Sequence, residues 1–277
     1  MCMKNDMYAE LKKRAMNHIL IHHYTTIKSL ENIITNNSLR LSRLDIVNDT
    51  YENKRINDVW KNKIFTSCFT YRENESYMFW KLYAGEEGVR LSFDSEYFRT
   101  NRISVYADSE CRQCFEYYEK SDVTHKRNID YLDWAIRDIT YADIKYTSEF
   151  SQFEEIDPES ATFFYNCNML GKNKNFTFSL CPGLIKGIEW DSEQEVRLRV
   201  ALSYKGMSNS VVNGSPCTPF KYIYIPINEA VKAITITMNP WHCQDFKERL
   251  IKLLKSNPLT CNCKVAESSM INQVKST

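Results

Sequence analysis

Two carboxylates and a guanidinium lie close together in the stretch WDSEQEVRLRVAL, residues 190–202: Glu193, Glu195 and Arg197. From Val196 the stretch alternates. Val196, Leu198, Val200 and Leu202 fall on one face, and Glu195, Arg197 and Arg199 on the other, which is the period of a half-buried β-strand. If the strand begins by Glu193, both acids project from one side, roughly 7 Å apart along the chain. Arg197 follows on that side, and Trp190 sits at the start of the strand. Two acids and a base on a rigid strand backed by core suit a site that stabilises a developing positive charge. The same pattern also describes a solvated strand face with cross-strand ion pairs, and spacing alone leaves both readings open.

Other familiar chemistries find little support. The sequence holds no Gly-rich phosphate loop, no H-E-x-x-H and no G-x-S-x-G elbow. Its five histidines, His18, His22, His23, His125 and His242, are too scattered for a local metal site. Cys111-x-x-Cys114 has half-site spacing, but no second pair stands at a matching distance, and Cys261-x-Cys263 lies in a polar tail. Ordinary buried thiols are the alternative to zinc there, and no metal is assigned. The net charge of +1 gives no bulk field for gripping duplex DNA, although a local basic groove stays open. The 17 tyrosines and 14 phenylalanines supply flat side chains for stacking on a base or a nicotinamide ring. The opening MCMKNDMYAELKKRAM lacks a secretory apolar core, and no run is long enough to cross a bilayer. A cytoplasmic location with reduced thiols is therefore expected.

The elements that must position these residues read as follows. Residues 6–17 form a short amphipathic helix and 19–24 a strand. Thr25 or Thr26 caps a helix whose stripe is Ile27, Leu30, Ile33 and Ile34, ending at Asn36-Asn37. Residues 39–41, 64–70 and 88–93 read as strands, and Asn48-Asp49-Thr50 as a turn and cap with Glu52 following. YMFWKLYA, 77–84, reads as a helix, and Asp94 starts another. Residues 131–139 and 161–170 read as helices, 142–147, 222–227 and 233–238 as strands, and 241–255 as an amphipathic helix. Dense mixed charge over 110–130 suggests a mobile insertion. Strands and helices mix without βαβ alternation, so the expected class is α+β with a split, mostly antiparallel β-sheet and flanking helices. One domain over 1–257 is expected, with an insertion at 100–175 and a loose polar tail at 258–277.

Several landmarks in order resemble the bacterial family catalogued as domain of unknown function 2971. They are His23-Tyr24-Thr25, Asn48-Asp49-x-x-Glu52, Ser67-x-Phe69-Thr70 and Met78-x-Trp80-x-x-Tyr83-Ala84. Gly88-Val89-x-Leu91-x-Phe93-Asp94 and Lys186 with Trp190-x-x-Glu193-x-Glu195-x-Arg197 complete the set. They span 22–197, with weaker similarity over 222–255, and Thr50 stands where that family usually shows proline. The order of parts is also similar to ADP-ribosyltransferases of the diphtheria-toxin-like type. Those place a histidine on a first strand, an aromatic or hydroxyl-bearing strand and helix around nicotinamide, and a glutamate on a later strand. DNA-modifying toxins of toxin–antitoxin pairs share the opening "His-x-Thr, helix, short strand".

The resemblance implies NAD as co-substrate and a role for each matching residue. His23 would hold a ribose hydroxyl, with Thr25 in support and Tyr24 beside the nicotinamide. Ser67 and Phe69 would floor the pocket, and Trp80 and Tyr83, one helical turn apart, would wall it. Glu195 would bind the ribose and stabilise the oxocarbenium-like carbon formed when the nicotinamide bond breaks. Glu193 would orient the acceptor or take its proton. Arg197 would keep Glu195 ionised or hold a diphosphate oxygen, for which Lys186 and Arg40 are other candidates. His22 is the rival of His23, since neighbours on a strand face opposite ways. The function implied is a toxin or phage-defence ADP-ribosyltransferase. Its preferred acceptor is single-stranded RNA or DNA, with protein as an alternative and an antitoxin or inhibitor protein as a further partner. An NAD hydrolase, a non-catalytic nucleotide- or nucleic-acid-binding module and a metal-independent RNA nuclease are the rival functions.

Overall fold

The computed structural model describes residues 7–47, 61–99, 103–115, 134–148, 183–204, 217–227, 234–258 and 260–271. Mostly buried segments form strands β1 (Leu20–Thr26), β2 (Ser38–Arg43), β3 (Ile64–Thr70) and β4 (Gly88–Asp94). They continue as β5 (Trp134–Asp143), β6 (Lys145–Thr147), β7 (Ile185–Gly187) and β8 (Glu195–Tyr204), then β9 (Tyr222–Pro226), β10 (Thr235–Met238) and β11 (Lys264–Ala266). Among the described residues, β11-β10-β4-β1-β3-β2-β9 form one path through a nine-stranded sheet, and β8 and β5 add beside β3. Every pairing in it is antiparallel except β10 with β11. The molecule is thus α+β with a mostly antiparallel sheet.

β3 organises that sheet. One of its edges pairs with β8 over its whole length, from Ile64↔Ala201 to Thr70↔Glu195. The other edge is shared. β1 meets it only at His22↔Thr70, and β2 only at Ser42↔Thr66 and Arg43↔Phe65. Between these contacts β1 and β2 diverge, so the sheet splits alongside Ser67, Cys68 and Phe69. One face carries the core, with Ile21, Phe65, Phe69, Leu91, Phe93, Val196, Leu198 and Val200 all buried. Burying such a side chain contributes about 1.5–3 kcal/mol each.

Helix α2 (Ile27–Asn36) closes one end of the split. The Ser29 N–H donates to Thr26 Oγ1 at 3.2 Å, and Asn37 ends the helix in the left-handed region at φ 49°. Its buried stripe is Leu30, Ile33 and Ile34. Helix α1 (Met7–Ala15) lies against β5, and α4 (Gln244–Lys255) buries Phe246, Leu250 and Leu254. Helix α3 (Tyr77–Phe79) continues into a π-helical turn (Trp80–Ala84), closed by Gly85 N–H to Trp80 O at 2.8 Å. Gly88 permits the close approach of that turn to β4. A Cβ there would stand 2.3 Å from Ala84 Cβ and 2.4 Å from its carbonyl oxygen.

Four expectations need correction. Residues 134–139 of the expected helix are strand, because β5 pairs with β8 from Trp134↔Tyr204 onward. A bulge between Ile136 and Asp138 shifts the register. It spaces the inward residues Trp134, Ile136, Ile139 and Tyr141 so that they imitate helical periodicity. The expected strand at 142–147 divides into the end of β5 and a separate strand, β6, which pairs in parallel with β7. The tail is not loose through 260–271: β11 pairs with β10, and Ser268 Oγ and Ser269 N–H bind Glu75 at 2.5 and 2.7 Å. Residues 103–115 are tied to the sheet by the Tyr106–Tyr224 bridge, with N···O distances of 2.8 Å in both directions. The Asn48–Glu52 motif, residues 116–133 and the expected helix at 161–170 lie outside the described residues. No described helix is long and apolar enough to cross a membrane.

Candidate active site

A cavity of about 660 Å³ occupies the split between β1 and β2. That volume lies within the range of small-molecule and cofactor sites. Its walls come from β1, α2, β2, β3, the α3 turn, β7, the 3-10 turn before β8, and β8 itself. His23, Tyr24, Thr25, Ser67, Phe69, Tyr83, Glu193, Glu195 and Arg197 all line it. Trp80 does not. It is fully buried among Tyr24, Phe79 and Ala84, with its indole N–H on Glu75 at 3.0 Å. The π-turn explains the difference. Its wider i→i+5 bonding rotates residues 80 and 83 farther apart than one α-helical turn would, so Tyr83 reaches the cavity while Trp80 turns into the core. Phe79 lines the wall instead.

Glu193 is not on the strand. The chain makes a 3-10 turn over Ile188–Glu193, reverses at Gln194 (φ 46°) and only then enters β8. The two carboxylates nevertheless converge on one cation. Lys186 Nζ lies 2.7 Å from Glu193 Oε2 and 2.9 Å from Glu195 Oε2. Arg197 Nε donates to Glu195 Oε1 at 2.5 Å, and its other nitrogen reaches the Gly183 carbonyl at 2.6 Å. Tyr83 OH donates to Glu193 Oε1. Lys186, Glu193, Glu195 and Arg197 are all buried, so this face is not the solvated one that alternation also allowed. Arg197 is committed to Glu195 and the backbone, which makes it the group that holds the acid rather than a diphosphate ligand.

The environments push the two acids apart. Burial alone would raise the Glu195 carboxyl, but the Arg197 and Lys186 cations outweigh it and bring it down to about 2. Burial raises Glu193, Lys186 opposes that, and the nearby Glu195 charge adds to the rise. Burial opposes the Lys186 charge, yet Glu195 and Glu193 hold it firmly protonated. Tyr83 stays neutral, because burial and then the Glu193 charge both raise it. Cys68, hydrogen-bonded to Glu195, is pushed up to about 12 by burial and then by that carboxylate. One acid is thus fixed as an anion while its neighbour is set closer to proton exchange, the division of labour used in acid–base sites.

His23 reaches across the split, with Nδ1 2.9 Å from the Cys68 carbonyl and its ring 5.6 Å from that of Phe69. Burial, and more weakly Arg40, lower its pKa, against the Cys68 carbonyl. Tyr24 is mostly enclosed, edge-on to Phe79 and Trp80 at 5.2 and 4.9 Å. At the outer end the Arg40 guanidinium lies 4.4 Å from the Tyr222 ring centroid. Both histidines line the cavity, because β1 leaves β3 within a residue of their pairing. Sequence reasoning ranked Lys186 only as a diphosphate candidate; nothing in its spacing announces that it bridges two acids. Among the described residues no three His, Cys, Asp or Glu side chains group to hold a metal ion. No protein-family model, curated protein or solved structure matches the chain.

Proposed function

We propose that the chain is an NAD-dependent ADP-ribosyltransferase with an ADP-ribosyltransferase-like split sheet, as the similarity of its order of parts to diphtheria-toxin-type ADP-ribosyltransferases implies. The observation that carries the reading is the convergence of His23 from β1, Tyr83 from the α3 turn and Glu195 from β8 on one dinucleotide-sized cavity. The nicotinamide–ribose bond breaks heterolytically. Its electron pair leaves with nicotinamide, neutralising the ring nitrogen, and C1′ becomes oxocarbenium-like. Glu195, kept ionised by Arg197 and Lys186 in a largely dry site, stabilises that charge. A carboxylate offers about four acceptor sites, and Arg197, Lys186 and the Cys68 thiol already meet those of Glu195, so a ribose hydroxyl binds by displacing the thiol, a weak donor. His23 holds a second hydroxyl. The acceptor nucleophile attacks C1′ and loses its proton to Glu193, whose raised pKa suits a base. Single-stranded RNA or DNA is the preferred acceptor, with protein as the alternative. The biological role proposed is a toxin or phage-defence effector held in check by an inhibitor protein.

The experiment is transfer of label from adenylate-labelled NAD to RNA, single-stranded DNA or lysate protein, with Glu195→Gln beside wild type. Loss of one charge-stabilising group is expected to cut transfer by about 10²-fold or more. Label transfer that survives the substitution removes Glu195 from the mechanism. Release of nicotinamide without labelled polymer identifies water as the acceptor, making the protein an NAD hydrolase. The full ion pairing of Glu195 favours a second reading, a non-catalytic nucleotide-binding module. Under it NAD binds, but nicotinamide is not released at any protein concentration.

A further inference from the structure

His22 stands out because the structure leaves half of it unanswered. It is 4 % exposed and lines the cavity. Its Nδ1 lies 2.8 Å from Ser92 Oγ, while Nε2 is buried and has no hydrogen-bond partner among the described residues. A buried polar atom without a partner is costly, and a bound molecule can relieve that cost. The pairing register says where that molecule would lie. His22 is opposite Thr70, and Thr70 is opposite Glu195. Residues paired across adjacent strands project from the same face, so His22 and Glu195 flank Thr70 on one side. Their Cα atoms are two strand spacings, about 10 Å, apart.

We infer that His22 is a ligand-contacting residue, giving a neutral hydrogen bond to the carboxamide of nicotinamide at the end of the row opposite Glu195. The inference rests on the NAD reading. Glu195 fixes the ribose end of the scissile bond, and the pyridine ring extends from C1′ along the row over Thr70. Its carboxamide then meets His22, which is distinct from the ribose-binding role given to His23. Burial and the nearby Arg90 charge keep the imidazole neutral. A neutral ring whose other nitrogen faces a hydroxyl can present Nε2 as donor or acceptor, so it matches either half of an amide. A charged imidazole would instead repel the positive pyridinium.

The test compares two probes by calorimetry: the carbocyclic NAD analogue, which cannot form the oxocarbenium ion, and ADP-ribose, which lacks nicotinamide. Wild type, His22→Phe and His22→Asn are titrated with each, with thermal melts confirming the fold. His22→Phe is expected to weaken the NAD analogue about tenfold, the scale of one buried hydrogen bond, and to leave ADP-ribose unchanged. His22→Asn, which keeps a neutral hydrogen-bonding group, is expected to recover part of the loss. Equal weakening of both probes, or no weakening of either, overturns the assignment and leaves the NAD reading intact. If wild type binds neither probe, the NAD reading fails and this inference fails with it.

Discussion

Lys186 is the cation both acids share, and Lys186→Met is the sharpest perturbation of the site. Methionine keeps most of the apolar stem and removes the charge. The Glu193 and Glu195 oxygens, each within 2.9 Å of Nζ in the wild type, are then left facing one another, with Arg197 balancing only Glu195. Removing one partner of a buried ion pair costs about 3–5 kcal/mol. Protonation relieves part of that loss, because two carboxylates this close raise the pKa of one of them, adding to the rise already present at Glu193. An acid whose folded pKa lies above its unfolded value loses stability as pH climbs from the unfolded value through the folded one. The slope is about 1.4 kcal/mol per pH unit. The destabilisation of Lys186→Met relative to wild type should therefore be about 1–3 kcal/mol larger at pH 8 than at pH 5. Urea unfolding at both pH values measures it. Equal losses at the two pH values would refute the claim that Lys186 compensates the acid pair.

Three further outcomes follow from the same geometry. His22 is brought down to about 3 by burial and then by Arg90. The unfolded chain therefore binds its proton more readily below about pH 6.5, and stability should fall as pH drops from there toward 3, by up to about 1.4 kcal/mol per unit. His22→Phe should flatten that slope, and an unchanged slope in urea titrations would remove His22 as its source. Trp80→Leu should cost about 2–5 kcal/mol as a core truncation while leaving affinity for the carbocyclic NAD analogue nearly intact. Phe79→Ala should weaken that affinity, and the reverse order would return Trp80 to the cavity wall. Ending the chain after Pro258 removes β11 and the Ser268 and Ser269 partners of Glu75. A lowered urea midpoint and aggregation through the uncovered edge of β10 are expected, whereas full stability would show the tail to be dispensable.

Much of the architecture was legible along the chain because its signals are local. The stripe of α2 and its Thr26 cap, the alternation of β3, β4, β8 and β9, and the mixed α+β order follow from period and capping. The failures are equally physical. The bulge in β5 mimics a helix because one extra residue turns a period of two into an uneven spacing. The tail looked loose because three residues of β11 carry too little pattern to show that β10 needs an edge partner.

The candidate site divides along the same line. Residue types and spacing by themselves put Glu195 and Arg197 on one side of a strand and a histidine pair on the first strand, whereas the place of Glu193 rested on a strand start that a 3-10 turn replaces. Only the tertiary structure decided that both histidines line the cavity, that Trp80 turns into the core, and that Lys186 bridges the acids from a strand seven or more residues away. The physical reason is that alternation fixes which way a side chain points from its own strand. Where neighbouring strands part, and what charge is buried against them, depends on pairings between residues far apart in the chain.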